Sequence, residues 1–385
     1  MSATTLLHSF TPAPMDPSGI VSWVHIGDLH MTSSGEQNDL DLQAIVRQIN
    51  SVFAGSINFV YLPGDVAEHG NREAYTVVRQ ALDELTVPWC AIIGDHDVHE
   101  KSHANFVEAM AAEKYYAFTV ANIRFLALNA FDVPHPASFV MEDEQLKWLE
   151  KEMEQATLLD QQKVILLHCY PSDLKSGAER LQRVLKDYDV MLVEMGHTHY
   201  NEIANDGHTL YAATRSTGQI EEGPVGFSIT CIDQGAISWK FFEPGQTPAL
   251  MVTSPSDFRL NASSANPLAG DSLRIRAKVW SSSNISSVQA HFGDSMIEMN
   301  QVLGTRVWEA NLPTNHPAAG LHDVSVTAVD ENGATATDLI RIAVGQSDEA
   351  VRKIQKRDQD NQIGAWPEHG LLGTQLGPNK NGRKW

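Results

Sequence analysis

Five apolar runs in this chain end in the same way, and that repetition constrains the fold more than any other feature. Residues 21–26 (VSWVHI) lead into Gly27-Asp28-Leu29-His30, residues 57–63 (INFVYLP) into Gly64-Asp65, and residues 89–93 (WCAII) into Gly94-Asp95-His96-Asp97. Residues 163–167 (KVILL) lead into His168, and residues 189–195 (DVMLVEM) into Gly196-His197-Thr198-His199. Continuous apolar runs of this length predict strands covered on both faces. With IRFLALN at 123–129, they alternate with amphipathic helical stretches. In 72–85 the stripe is Tyr75, Val78, Leu82 and Leu85, and in 142–155 it is Leu146, Leu149 and Met153. Such alternation predicts an α/β domain. If the strands lie side by side and run together, their carboxyl ends share one edge, where ligands collect in open α/β sheets. In four of the five motifs a glycine precedes the first polar residue and allows a sharp turn.

The side chains delivered to that edge are carboxylates and imidazoles without a thiolate: Asp28, His30, Asp65, Asp95, His168, His197 and His199, with His96 beside them. One Gly-Asp after a strand is ordinary turn chemistry. A lone histidine, such as His25 or His135, is more often structural than a ligand. Five such motifs in order, each at a predicted strand end, are not explained by turns. Seven donors are too many for one tetrahedral ion and suit two ions sharing a bridging carboxylate. Mixed oxygen and nitrogen donors point to Mn, Fe, Zn, Co or Ni rather than Mg or Ca. Two-metal sites serve phosphoryl transfer and related hydrolysis.

Charge and composition limit the partners. The formal net charge of −20 argues against a nucleic-acid polymer or an anionic membrane, both of which need basic patches. A small anionic substrate is compatible, because bound metals reverse the local field. No apolar run approaches the ~20 residues that span a bilayer, and the first 19 residues hold no Lys or Arg, which makes a poor secretory signal. Three scattered cysteines, Cys90, Cys169 and Cys231, make no disulfide framework; a cytoplasmic setting is expected.

Along the chain, residues 1–20 read as an irregular lead-in and 21–246 as the catalytic α/β domain. Residues 247–270, rich in Ser, Pro, Ala and Asn, read as a linker or first strand. From 271 to 345 the sequence shows short, partly alternating strands with an Asn332-Gly333 turn between the last two. An immunoglobulin-like β-sandwich is expected over 247–346. Residues 347–385 form a polar, Gly-rich tail, and from 351 onward it carries +4.

The ordered pattern resembles that of the calcineurin-like metallophosphoesterases: D-x-H, G-D, G-N-H-[DE], H and G-H-x-H, over roughly residues 21–245. GDVAEHGNREAY, LDELTVPWCAIIGDHD and EQLKWLEKEM look most like the bacterial class III cyclic-nucleotide phosphodiesterases and glycerophosphodiesterases. The resemblance implies an α/β/β/α sandwich with two metals, Mn, Fe or Zn, between the sheets. It implies that Asp28, His30 and His199 hold the first metal, that Asp65 bridges, and that Asp95, His168 and His197 complete the second. A hydroxide between the metals, available near neutral pH because bound water has a pKa of ~7, would attack phosphorus. His96 would contact a phosphate oxygen or protonate the leaving alkoxide, with Asp97 as its orienting partner. Asp95 departs from the family's usual Asn, and its added negative charge is expected to favour monoanionic diesters. Cys169-Tyr170-Pro171 departs from the His or Pro-rich run after the lone histidine; a small buried Cys169 is expected.

The expected reaction is hydrolysis of a small phosphodiester. A phosphomonoesterase or nucleotide pyrophosphatase on the same site is the alternative, and a non-catalytic scaffold a third. His69, Asn71, Tyr170 and Arg215 are weaker candidates for substrate contact, and His99 and His103 are expected to begin a solvent-facing helix. The tail, with Trp366 and Trp385, either folds back on an acidic neighbour or a sister subunit or has no fixed place. Homo-oligomerisation is expected, if at all, through the sandwich or the tail.

Overall fold

The sheet predicted from the apolar runs is in fact two sheets stacked face to face. The computed structural model describes residues 10–15, 17–110, 113–131, 138–261, 272–314, 317–345 and 361–374, so His135 and Trp385 lie outside the described residues. Strands β1 (Val21–His25), β2 (Phe59–Leu62) and β3 (Trp89–Ala91) run parallel, and β10 (Phe227–Asp233) and β11 (Ala236–Phe242) extend them antiparallel in the order β11-β10-β1-β2-β3. The second sheet has six strands: β4 (Tyr116–Val120), β5 (Ile123–Ala127), β6 (Gln162–Leu166), β7 (Leu192–Met195), β8 (Glu202–Asn205) and β9 (Leu210–Ala213). Their order is β4-β5-β6-β7-β9-β8, parallel from β5 to β9 with antiparallel edges. The five motif-bearing strands are therefore divided, three in one sheet and two in the other.

Helices cover the outer faces. On the first sheet lie α1 (Gln37–Gln48), α2 (Arg72–Leu82) and α3 (Ala104–Met110), whose Leu42, Ile45, Val78 and Phe106 pack on Val24, Val60 and Leu62. On the second lie α4 (Asp143–Leu158) and α5 (Ala178–Asp187), with Leu149, Met153, Leu181 and Val184 against Leu126, Ile165 and Val193. Period-2 alternation turns Trp23, Phe59, Phe118 and Phe125 into the space between the sheets. Phe59 lies over Trp23 and Phe118 over Phe125, with centroids 5.8 and 5.1 Å apart. Each such ring contributes roughly 1.5–3 kcal/mol by burial. A polar cluster shares this layer. The Glu194 carboxylate, fully buried, accepts from Trp23 Nε1 (3.2 Å) and Thr230 Oγ1 (2.6 Å) and lies 2.7 Å from His25 Nδ1. His25 is structural, as its isolation in the sequence leads one to expect.

The following segment forms two antiparallel four-stranded sheets. One comprises β12 (Ala249–Ser254), β13 (Ser272–Trp280), β16 (Asn300–Gln301) and β17 (Val307–Pro313), in the order β12-β13-β17-β16. The other comprises β14 (Ile285–Phe292), β15 (Ser295–Glu298), β18 (Gly320–Asp330) and β19 (Thr335–Val344), in the order β15-β14-β18-β19. Leu250, Val252, Ile275, Val288, Val324 and Ile340 fill the space between them. Gly333 turns the β18–β19 hairpin at φ +82°. This two-sheet unit packs on the α/β domain through Met251, Trp280 and Val307, which join the core around Phe53, Phe227 and Phe242. Charged groups are buried in the same junction. Lys278 Nζ donates to Ser22 Oγ (2.8 Å) and to Ser56 O (2.9 Å), and Asp338 accepts from Lys240 Nζ (2.7 Å) and Val252 N (2.7 Å).

Residues 361–374 return to the α/β domain. Ile363 N donates to Ile203 O at 2.9 Å, and Ile363, Trp366 and Leu371 are buried in the inter-sheet core. Trp366 thus folds back on its own chain, where the Arg259 guanidinium lies 3.6 Å above its ring. The three cysteines are buried thiols. Among the described residues no helix is long and apolar enough to cross a membrane.

Candidate metal centre

The carboxyl ends of β1, β2 and β3 meet those of β6 and β7, and the loops that follow supply the polar side chains. Four of these residues leave their strands in the left-handed region: His30 (φ 43°), Asp65 (φ 50°), His197 (φ 66°) and His199 (φ 64°). Residues other than glycine pay roughly 1–3 kcal/mol each there, and such positions persist only where the surroundings fix them. Cross-loop bonds do so: His30 N to Asp65 O (2.8 Å), Met31 N to Val66 O (3.0 Å) and His197 N to Asp28 Oδ2 (2.8 Å). The glycines serve a different end from the one expected. Gly64 does need its φ of +105°, but Gly94 and Gly196 do not sit at positive φ. A Cβ on Gly94 would overlap the Asp65 carboxylate, and one on Gly196 the Asp28 carboxylate. They are small so that the loops can close on one another.

All seven expected donors are brought together, in two groups that share Asp65. Asp28, His30, Asp65 and His199 form the first; Asp65, Asp95, His168 and His197 form the second. Within each group the donor atoms lie within 4.8 Å of one another. In the first, His30 Nε2 is 3.0 Å from His199 Nε2 and 3.7 Å from Asp65 Oδ2, and His199 Nε2 is 3.6 Å from Asp28 Oδ2. In the second, His168 Nε2 lies 3.1 Å from Asp95 Oδ1 and 3.4 Å from Asp65 Oδ2, with His197 Nδ1 3.3 Å from Asp95 Oδ1. The outer nitrogens are held as metal-ligating imidazoles usually are. His168 Nδ1 bonds Pro63 O (2.7 Å) and His30 Nδ1 bonds Glu68 Oε2 (2.7 Å).

The electrostatics fit cations. Asp28 Oδ1 is buried without a hydrogen-bond partner, an orphan acceptor that a cation would satisfy. Burial pushes the Asp65 carboxyl up, yet the neighbouring His168 charge draws it down to about 2. Burial likewise opposes ionisation of Asp95, but hydrogen bonds from His168 and His197 hold it below the usual carboxylate range. His168 moves the other way: burial would lower it, and the carboxylates of Asp65 and Asp95 raise it well above a free imidazole. A proton on His168 is thus favoured by the carboxylates around it, and cation binding would release it. The donor set suits two ions.

His96 lies beside the first group, its ring edge-on to His30 at 4.7 Å. Burial lowers its pKa, but the Asp65 charge and a bond to the Glu68 carbonyl raise it overall. Asp97 is not its orienting partner. The Asp97 carboxylate is buried and accepts from Val66 N (3.2 Å), Ala67 N (3.0 Å), Gly94 N (3.0 Å) and Tyr75 OH (2.9 Å). It pins the loops after β2 and β3 together, and burial, with the Asp65 charge, lifts its pKa to about 7. The place expected for Asp97 belongs to Glu68, whose carbonyl is 3.0 Å and whose Oε1 is 3.5 Å from His96 Nδ1. Glu68 also accepts from Gln219 Nε2 at 3.0 Å. Neither Glu68 nor Gln219 ends a strand, so the pattern that exposes the other residues is silent on them.

Most weaker candidates are structural. Asn71 caps α2 by accepting from Ala74 N (2.8 Å), and His69 is exposed. Tyr170 OH donates to Glu202 (2.6 Å). The Arg215 guanidinium is buried over the Phe241 ring at 4.0 Å. Cys169 is buried; His99 is exposed, whereas His103 is buried at the start of α3 rather than solvent-facing.

Residues 22–201 match the family model of the calcineurin-like phosphoesterases. A protein of Fibrobacter succinogenes named "Probable cyclic nucleotide phosphodiesterase" is 23% identical over 244 residues, which cover 59% of this chain and 89% of that one. An Arcobacter nitrofigilis protein named "Probable glycerophosphodiester phosphodiesterase" is 25% identical over 197 residues, 46% of this chain and 71% of that one. Among solved structures, a dimetal phosphatase from Danio rerio is 15% identical and superposes with a TM-score of 0.49 over 57% of this chain and 95% of its own.

Proposed function

We propose that this chain, whose residues 22–201 form a calcineurin-like phosphoesterase domain, hydrolyses a small phosphodiester of the cyclic-nucleotide or glycerophosphodiester type at a pair of metal ions. The observation that carries the reading is the pair of four-donor groups sharing the Asp65 carboxylate. Asp28, His30 and His199 would hold one ion and Asp95, His168 and His197 the other. Of the metals that mixed carboxylate and imidazole donors favour, Mn, Fe and Zn fit best. When bound, such ions stabilise charge developing on phosphoryl oxygens and make water nucleophilic near neutral pH.

The chain's own residues do the rest. His96 is part-exposed and is held through Nδ1 by Glu68, which leaves Nε2 to meet a phosphate oxygen or the leaving alkoxide. Three ligand carboxylates, Asp28, Asp65 and Asp95, repel a dianionic monoester more than a monoanionic diester, and the names of the relatives agree with that preference. A monoesterase or nucleotide pyrophosphatase could use the same residues. A scaffold without activity is disfavoured, since every donor position holds a competent side chain. We read the two-sheet unit as immunoglobulin-like, with domains at 21–246 and 247–346. The acidic chain suits neither a nucleic-acid polymer nor an anionic membrane as partner.

The test is metal analysis of protein purified without added metal, followed by a substrate panel in Mn(II). The panel sets bis(p-nitrophenyl) phosphate, cyclic nucleotides and a glycerophosphodiester against p-nitrophenyl phosphate. About two bound ions and faster diester turnover are expected. Faster monoester turnover would transfer the assignment to the alternative, and the absence of bound metal would remove both.

A further inference from the structure

We propose that residues 361–374 brace one half of the metal centre, the half built on Asp28 and His199, and that the two-sheet unit anchors this brace. The inference rests on the metal-binding reading above.

Three sets of contacts carry it. The first fixes the segment. His369 Nδ1 donates to Trp239 O at 2.8 Å, and its Nε2 lies 2.8 Å from Asp338 Oδ1, on β19. Trp366 stacks on the His369 ring at 3.6 Å, and Asn205 N donates to Asn361 O at 2.7 Å. One short segment thus grips both sheets of the α/β domain and a strand of the other unit.

The second set joins the segment to loop 214–223. The Gly370 carbonyl accepts from Asn201 Nδ2 (2.9 Å) and from Arg215 Nη2 (3.2 Å), and Thr374 Oγ1 bonds Glu222. Arg215 and Asn201 are themselves buried, so without Gly370 each loses an acceptor where few replacements exist. Glu222 is tied in further, because its Oε1 accepts from Asn201 N at 2.8 Å.

The third set joins that loop to the donors. Asp28 O accepts from Ser216 Oγ (2.8 Å), Thr217 N (2.9 Å) and Gly218 N (3.0 Å), and His199 O accepts from Ser216 N (3.3 Å). Asn201 is two residues beyond His199. The second donor group meets the brace less directly: His168 is held on Pro63 O at 2.7 Å, and His197 is linked to the first group through its N–H on Asp28 Oδ2 at 2.8 Å. The brace therefore acts first on one cation position and reaches the other through Asp28. Groups that orient ligands from behind typically set metal affinity by 10–100-fold.

The test measures Mn(II) binding to metal-free full-length protein by titration calorimetry, with circular dichroism to verify the fold. His199→Ala identifies which binding step belongs to the first group. His369→Ala is expected to weaken that step by about tenfold, to weaken the other step clearly less, and to recover most of its kcat at saturating Mn(II). Thr374→Val is expected to weaken the same step in the same direction. A chain ending after residue 360 should show the largest loss, and added peptide 361–374 should restore it; a chain ending after Thr374 should bind as the full chain does. Unchanged affinity in both point variants would overturn the brace, whether or not the shortened chain folds. So would equal weakening of both steps, or a loss on ending at Thr374 as large as on ending at 360. Failure of the full chain to bind two ions would instead remove the metal reading itself, and the brace with it.

Discussion

Asp97 and Glu68 exchange the roles that adjacency in the sequence assigns them. Asp97 follows His96 directly, but a carboxylate one residue from an imidazole points elsewhere when the loop between them turns. It is spent on three backbone N–H groups and Tyr75 OH. Glu68 reaches His96 and His30 from another loop. Glu68→Ala should therefore lower kcat on a diester by about 10–100-fold, as loss of a ligand-orienting partner does, with Glu68→Gln intermediate. Asp97→Asn should chiefly cost stability, about 1–3 kcal/mol, because an amide donor would face backbone donors in a buried site. Urea unfolding and steady-state kinetics on both variants separate the two effects; a larger loss of kcat in Asp97→Asn than in Glu68→Ala would reverse the assignment. Asp95→Asn removes one negative charge from the second donor group and should raise monoester turnover relative to diester turnover. An unchanged ratio counts against charge as the selector. The convergence of the seven donors is legible in the sequence because each ends an apolar run. Glu68, Gln219 and the left-handed backbone at His30, Asp65, His197 and His199 are not, because they depend on which loops meet.

Among the elements, the strands that carry the motifs are legible from their apolar runs, whereas their division between two sheets is legible only through the family resemblance. Hydrophobic periodicity reports that a strand is buried on both faces, not whether its far neighbour is a helix or a second sheet. The short strands β8, at the edge of its sheet, and β9, beside it, lack a long apolar run, and they become certain only when packed. β12 lies within 247–270, where Pro and Ser suggest a linker as readily as a strand. The strand-end glycines are the element-level feature most open to test. Gly94→Ala places a methyl against the Asp65 carboxylate and Gly196→Ala one against Asp28, in loops already held by several bonds. Both variants should keep their circular dichroism and lose bound metal, Gly94→Ala more of it, because Asp65 serves both donor groups. Metal content by emission spectroscopy checks this, and full loading of Gly94→Ala would show that the loops can part without consequence.

Across the whole molecule, the residues that join the two units were the least legible, for a physical reason. Charged residues alternating along a strand read as solvent-facing, as Arg274, Arg276 and Lys278 do in β13, yet Arg276 and Lys278 are buried because the α/β domain covers that face. Asp338 is the clearest case. It is buried at the meeting of β11, β12, β19 and the C-terminal segment, and it takes bonds from Lys240 Nζ and Val252 N. Burial opposes its ionisation, but the charges of Lys240 and then His369 hold its pKa well below the ordinary carboxylate range. A carboxyl depressed in the folded state binds protons more readily once unfolded. Its contribution is therefore fully present above the unfolded pKa of ~3.9 and is lost as pH falls through that value toward the folded one. Asp338→Asn should cost about 3–5 kcal/mol near neutral pH, since it strands the buried Lys240 ammonium. The difference from the parent chain should shrink as the pH is taken from 5 to 3, where the parent begins to lose the same interaction. Unfolding free energies of metal-free protein across that range would show it. A gap that stays constant with pH would mean that the Asp338 charge does not hold the junction, and that the units are joined by the Lys278 bonds and by their shared apolar core around Trp280 and Phe53.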